Sequence, residues 1–267
     1  MVRTLLVPWV LVIFCLPTAA AASVDALDAL RARLSASEAT TPVEGRYRYV
    51  SESRDLDEPE NPPLRAQVDL GFAIGERGLR FDWSPRVLAQ AAEEAAQADP
   101  DAPRPVRRAM DFVSVGGVQD LLDASSTLER TLRNATLVET AEDAIDGQPT
   151  TRLNLALAPP QPARIRKYLR GIDATGTLWL DEAGWPVRFE QDIRVTGRIF
   201  LVIGFELTQY DDYRFRRFGD RLVAVRHDAR RSGAGGGEQQ ASDDRVVLEA
   251  RCTLDPCGSG AVAARSR

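Results

Sequence analysis

Hydrophobic residues in this chain follow three patterns, and each predicts a different element. The first is continuous. Leu5–Leu16 is an apolar run behind the positive Arg3, followed by Pro17 and a run of alanines. A positive start, a short apolar core and A-x-A sites near Ala20–Ala22 form a secretory signal peptide. A membrane-spanning helix needs about 20 apolar residues, and no later stretch approaches that length, so no permanent span is expected after removal. Phe14 is bulky where lipidation at Cys15 requires a small residue. We expect residues 1–22 to be cleaved, the mature chain to begin near Ser23, and the protein to be periplasmic or otherwise secreted.

The second pattern has helical spacing. Val24, Leu27, Leu30 and Leu34 mark one face of a helix over Val24–Glu38, which Pro42 ends. Pro85 opens an Ala- and Glu-rich helix to about Ala98, with proline in its first turn. Val118, Leu121, Leu122, Leu128 and Leu132 continue at helical spacing after Gly116-Gly117, and Ala163–Arg170 reads as a short basic helix.

The third pattern has a period of two. Tyr47 and Tyr49 alternate with Arg46 and Arg48, Val68–Ile74 with Gln67 and Asp69, and Leu79, Phe81 and Trp83 with Arg80 and Asp82. Gly75–Gly78 is a hairpin connection between the last two. Strands resume at Ala135–Ile145 and Thr151–Leu157, then follow one another over Thr175–Asp181, Pro186–Thr196, Arg198–Phe215, Arg221–Arg231 and Arg245–Leu254. Gly233–Gly237 reads as a flexible loop. Roughly ten one-sided strands with short connections predict an antiparallel sheet with one solvated face. The helices are too few and too clustered for a parallel βαβ sheet. The fold class is mainly β with α: a strongly curved antiparallel sheet, an incomplete barrel, with helices covering its concave face.

Three stretches resemble the outer-membrane lipoprotein carrier (LolA-like) superfamily. They are VDLGFAIGERGLRFDW at Val68–Trp83, AIDGQPTTRLNLAL at Ala144–Leu157 and GTLWLDEAGWPVRFEQ at Gly176–Gln191. The resemblance implies one LolA-like domain over residues 23–257, followed by a flexible tail at 258–267. It also implies an apolar cavity for acyl chains, and an arginine near the early hairpin, by position Arg77, that contacts the lid helices. The carriers continue with a further hairpin where Val106–Asn134 here reads as helical.

Composition narrows the function classes. Lys and Arg total 34 against 39 Asp and Glu, and removing residues 1–22, with Arg3 alone charged, leaves 33 against 39, or −6. A nucleic-acid binder usually carries net positive charge, so no nucleic-acid partner is expected. Lys167 is the single lysine and His227 the single histidine. Neither a metal nor another cofactor is expected, since a structural zinc site uses four Cys or His ligands. Cys252 and Cys257 form an even pair in an oxidising compartment, and a local disulfide is expected.

The apolar strand face contains Tyr49, Phe72, Phe81, Trp83, Leu155, Leu180, Phe189 and Ile193. It is a packed core if the helices cover it fully and a ligand cavity if they do not. Arg164, Arg166, Lys167 and Arg170 form the densest basic cluster, a solvated face or a patch for acidic headgroups. Glu190, Asp192 and Arg194 share one strand face, opposite Phe189, Ile193 and Val195. His227 lies mid-strand with no G-x-S-x-G elbow, and no polar cluster suited to a hydrolase is apparent. The expected function is therefore non-enzymatic: binding of an acyl chain, lipoprotein or other apolar ligand inside the curved sheet. The alternative is a filled core in an envelope module that docks a protein partner.

Overall fold

The computed structural model describes residues 19–99, 102–161, 166–199 and 203–253. The apolar run Leu5–Leu16, Cys257 and the tail from Gly258 lie outside them. Ten strands form one antiparallel sheet: β1 Val43–Asp55, β2 Leu64–Gly75, β3 Gly78–Asp82, β4 Thr136–Ile145, β5 Gln148–Ala156, β6 Leu169–Leu180, β7 Pro186–Ile199, β8 Ile203–Phe218, β9 Arg221–Gly235 and β10 Glu238–Cys252. Their spatial order is β3-β2-β1-β10-β9-β8-β7-β6-β5-β4. β3 and β4 are the two edges and do not pair, so the curved sheet is an open barrel.

Among the described residues, five helices lie on the inner side of the sheet: α1 Ala19–Ser35, α2 Pro85–Ala96, α3 Pro105–Phe112, α4 Val115–Leu122 and α5 Ala124–Leu132. α3 packs on β2 and touches β1, α4 and α5 lie on β9, and α1 rests on α5 and β4. Local chemistry sets their ends. The Ser84, Ser114 and Asp123 side chains accept from the Val87, Gly117 and Ser126 amides at the starts of α2, α4 and α5. Asp123 therefore divides the single helical run read from the sequence into two. The buried Glu94 carboxylate does the same service for α3, accepting from the Val106 and Arg107 amides. Unpaired amides and the positive helix end both favour an oxygen there.

The core joins the two layers. Leu27, Leu30 and Leu34 of α1 meet Leu122, Leu128 and Leu132 of α4–α5 above Tyr47, Leu70, Leu153, Leu178, Phe189 and Leu248 of the sheet. The outer face carries a lattice of ion pairs instead: Arg46 and Arg48 with Asp69, Arg188 with Asp212 and Glu190, and Arg226 and Arg245 with Asp228.

Several boundaries differ from the sequence reading, among them that of the expected strand Arg198–Phe215, whose first two residues end β7 while β8 begins at Ile203. β6 begins at Leu169, inside the expected helix Ala163–Arg170, because its backbone pairs with β7 from Gly197 onward. β9 and β10 continue through Gly233–Gly235 and turn only at Gly236-Gly237, so the expected loop is mostly ladder. Both turn glycines have positive φ, which an L side chain adopts with strain.

Candidate functional site on the inner face

Strand register divides the inner face into rows, and successive rows change chemistry. One row runs Tyr49, Val246, His227, Tyr213, Phe189, Leu178, Leu153. It lies largely under the helices. The next runs Ser51, Asp244, Ala229, Asp211, Gln191, Gly176, and the third Ser53, Ser242, Arg231, Gln209, Ile193, Ala174. A fourth runs Gly233, Leu207, Val195, Ile172. β4 and β5 stop at Thr136 and Ala156, so the outer rows belong to a ribbon of longer strands that projects past them.

The second and third rows hold a polar belt. Asp211 is fully buried and accepts from His227 Nε2 at 2.8 Å, Gln191 Nε2 at 2.8 Å and Gln209 Nε2 at 2.6 Å. The Arg231 guanidinium pairs with Asp244, and the Tyr49 hydroxyl donates to Asp244 at 3.1 Å. Tyr213 lies flat on the His227 ring, 4.1 Å between centroids. Burial pushes the Asp211 carboxyl up, but the bonds from His227, Gln191 and Gln209 outweigh it and leave it below the ordinary aspartate value. Burial raises the Tyr49 hydroxyl to about 12. This buried carboxylate was not singled out in the sequence. Its signal was a break of phase, with Gln209 and Asp211 on the face that Leu207 and Tyr213 otherwise make apolar. The Nε2 atom of His227 is taken up by the Asp211 carboxylate. The chemistry it supports is fixation of one sheet register, since His227, Gln191 and Gln209 all donate to Asp211 from neighbouring strands or its own.

Beyond the belt the face turns apolar again and loses its cover. Leu207 is 49% exposed, and Ile172, Ile193, Val195 and Phe205 are half-buried. The Phe205 ring lies over Gly197, where a Cβ would stand 2.2 Å from its Cζ. A side chain there would lift the ring off the sheet.

The eight expected cavity residues separate on these rows. Tyr49, Phe72, Leu155, Leu180 and Phe189 are buried in the core, and Phe81 and Trp83 pack half-buried against it. Ile193 alone lies on the open part. Beneath α5, a space lined by Leu128, Thr131, Phe189, Gln191, Tyr213 and Phe215 holds about 30 Å³, far below the roughly 300–1,000 Å³ of small-molecule pockets. A larger hollow of about 880 Å³ opens on the outer face among Arg46, Arg80, Arg216, Arg251 and Glu249.

Arg77 is exposed in the β2–β3 turn. The arginines that do hold the helices lie elsewhere. Arg31 donates to the Leu132 and Ala135 carbonyls, Arg33 to Ala183, and the buried Arg221 to Thr41 and Leu122. Glu190, Asp192 and Arg194 face outward as expected, and Arg188 and Arg194 pair with Glu190 and Glu206. Cys252 ends β10 opposite Val43.

Among the described residues, no helix is long and apolar enough to cross a membrane. No family model matches the chain, and no curated protein matches it. The solved structures similar to it include two that span most of this chain. One is a DUF1329 family protein from Desulfovibrio piger, 10% identical over 87% of this chain and 94% of that one, with a TM-score of 0.34. The other is the Pseudomonas aeruginosa MucA/MucB complex, 12% identical over 86% of this chain and 99% of that one, with a TM-score of 0.17.

Proposed function

We propose that this is an exported, non-enzymatic binding protein that takes an acyl chain of a lipid or lipoprotein on the open half of its inner face. One observation carries the reading: beyond the polar belt the inner face is apolar again at Ile172, Val195 and Leu207, where the helices no longer cover it. Polar side chains occupy the outer face of the same strands, so the exposed apolar row does not follow from strand position alone. A chain laid along Ile172, Val195 and Leu207 removes apolar surface from water at roughly 25 cal/mol per Å². The polar belt closes the row at its inner end, where an apolar tail would strip water from the half-exposed Arg231 charge, which is unfavourable.

The test is titration with a fluorescent fatty acid. The wild type should bind it, and Leu207→Asp should weaken binding at least about ten-fold, about 1.4 kcal/mol, with an unchanged circular dichroism spectrum. Absence of wild-type binding, or equal binding by Leu207→Asp, refutes this reading. The small space under the helices favours a second reading, a module with a filled core that docks an envelope protein. Native mass spectrometry of protein purified from its own envelope separates the two, through bound lipid in one case and a stoichiometric protein in the other.

A further inference from the structure

The projecting ribbon ends in a corner whose charge opposes that of the chain. Arg166, Lys167, Arg170 and Arg198 are exposed there. None has a carboxylate partner among the described residues, and Lys167 lies over the Tyr168 ring at 4.8 Å. The Arg198 amide donates to the Tyr168 carbonyl at 2.8 Å, which fastens the start of β6 to the end of β7 and holds these cations together. Over residues 166–173, 193–198 and 203–208, the basic residues are these four and Arg194, against Asp173 and Glu206, a net charge of +3 in a chain of −5. Arg194 and Glu206 pair with each other at 2.9 Å. The neighbouring β9–β10 turn adds Glu238, and the β1–β2 loop bonded to that turn through Asp57 adds further carboxylates, so the positive charge is confined to the corner formed by β6, β7 and β8.

The same corner has an apolar side. Ile203 at the start of β8 is 40% exposed, and Phe205 and Leu207 follow it on the inner face. A ribbon with one apolar and one polar face and unpaired cations at its end has the composition of an amphipathic interfacial element, built from strands instead of a helix. We propose that this corner docks the protein on an anionic lipid surface. Its cations meet the headgroups, and Ile203 and Phe205 enter the boundary of the acyl layer. Charge selects the occupant: each Lys or Arg near an anionic bilayer raises partitioning roughly five-fold, whereas an uncharged surface offers these four cations nothing. The docking goes beyond acyl-chain binding and stands independently of it.

Co-sedimentation of the purified protein with phosphatidylcholine vesicles, with and without phosphatidylglycerol, tests the proposal. Binding should require phosphatidylglycerol and should fall as salt shortens the screening length, about 10 Å at 0.1 M. The combined change Arg166→Glu, Lys167→Glu and Arg170→Glu should lower vesicle binding more than ten-fold. Titration of the soluble fatty-acid probe should be unaffected, since these residues lie outside the Ile172–Val195–Leu207 row. Ile203→Asp should lower vesicle binding with its salt dependence retained. The single change Arg198→Glu, at an exposed side chain, gives a smaller loss in the same direction and guards against a folding defect in the triple variant. No binding to either vesicle, equal binding to both, or binding unchanged by charge reversal overturns the docking. Loss of probe binding with vesicle binding intact overturns only the acyl-chain reading.

Discussion

Asp211 has no exposed surface and three donors directed at it, so its removal costs more than its own bonds. Asp211→Ala leaves His227, Gln191 and Gln209 short of an acceptor. With a penalty of about 1–3 kcal/mol for each buried unsatisfied group and partial rescue by water, a loss of about 3 kcal/mol in urea unfolding is expected. The acid dependence follows from the sign of the shift. The folded pKa of Asp211 lies below its ordinary value, as does that of Asp220, where burial is outweighed by the hydroxyls and amides of Thr40 and Thr41. A depressed carboxylate contributes stability above its unfolded pKa, near 4, and loses it as pH falls through the folded value. Stability should therefore decline from about pH 5 downward, and Asp220→Asn should flatten that decline in urea titrations. Two phenylalanines on paired positions of one hairpin provide a contrast in burial. Phe72 is enclosed and Phe81 half-exposed, so Phe72→Leu should cost about 1–3 kcal/mol and Phe81→Leu clearly less.

Between elements, the β8–β9 turn fastens the helical layer to the sheet. The Asp220 carboxylate accepts from the amides and hydroxyls of Thr40 and Thr41, and Ser37 donates to its carbonyl. Arg221 ties Thr41 to the last turn of α4. Asp220→Ala should cost about 2 kcal/mol, which lowers Tm by roughly 4–8 °C for a chain of this size in calorimetry. α1 also bears on export. Cleavage after Ala22 leaves the Leu27, Leu30 and Leu34 contacts whole, and N-terminal sequencing of exported protein should begin near Ser23. An intact Met1 in exported material counts against the signal peptide. Most elements were legible because burial on one side writes a period into the sequence. The start of β6 and the Gly-rich ends of β9 and β10 were not. There the partner strand supplies the hydrogen bonds, and local preference for turn or helix is overridden.

Across the whole molecule, β10 joins two parts that have no other ladder. β1, β2 and β3 reach β9 only through it, so residues 43–55 pair with residues 240–252 from nearly the opposite end of the chain. Such pairing carries a large loop-closure cost before any contact repays it, and sheets of this kind fold slowly. Refolding followed by tryptophan fluorescence should take milliseconds to seconds or longer. A chain ending before Glu238 should lose cooperative unfolding altogether, because β1 and β9 each lose the ladder that joins them and the sheet is left in two parts. A truncated chain with a sharp two-state transition would contradict this dependence on β10.

The sequence by itself determined the fold class, most strands, the faces they present and the outward placement of Glu190, Asp192 and Arg194. Each is a one-dimensional consequence of period and turn chemistry. Only the tertiary structure decided which apolar residues are enclosed. Phe189 and Ile193 are two turns of the same alternation, yet one lies in the core and the other on the open ribbon, because the shorter β4 and β5 end between their rows. Only the tertiary structure decided that Asp211 meets His227, since their separation along the chain depends on the register of β8 on β9. Coverage and cross-strand pairing are properties of several segments at once, and no single segment carries them.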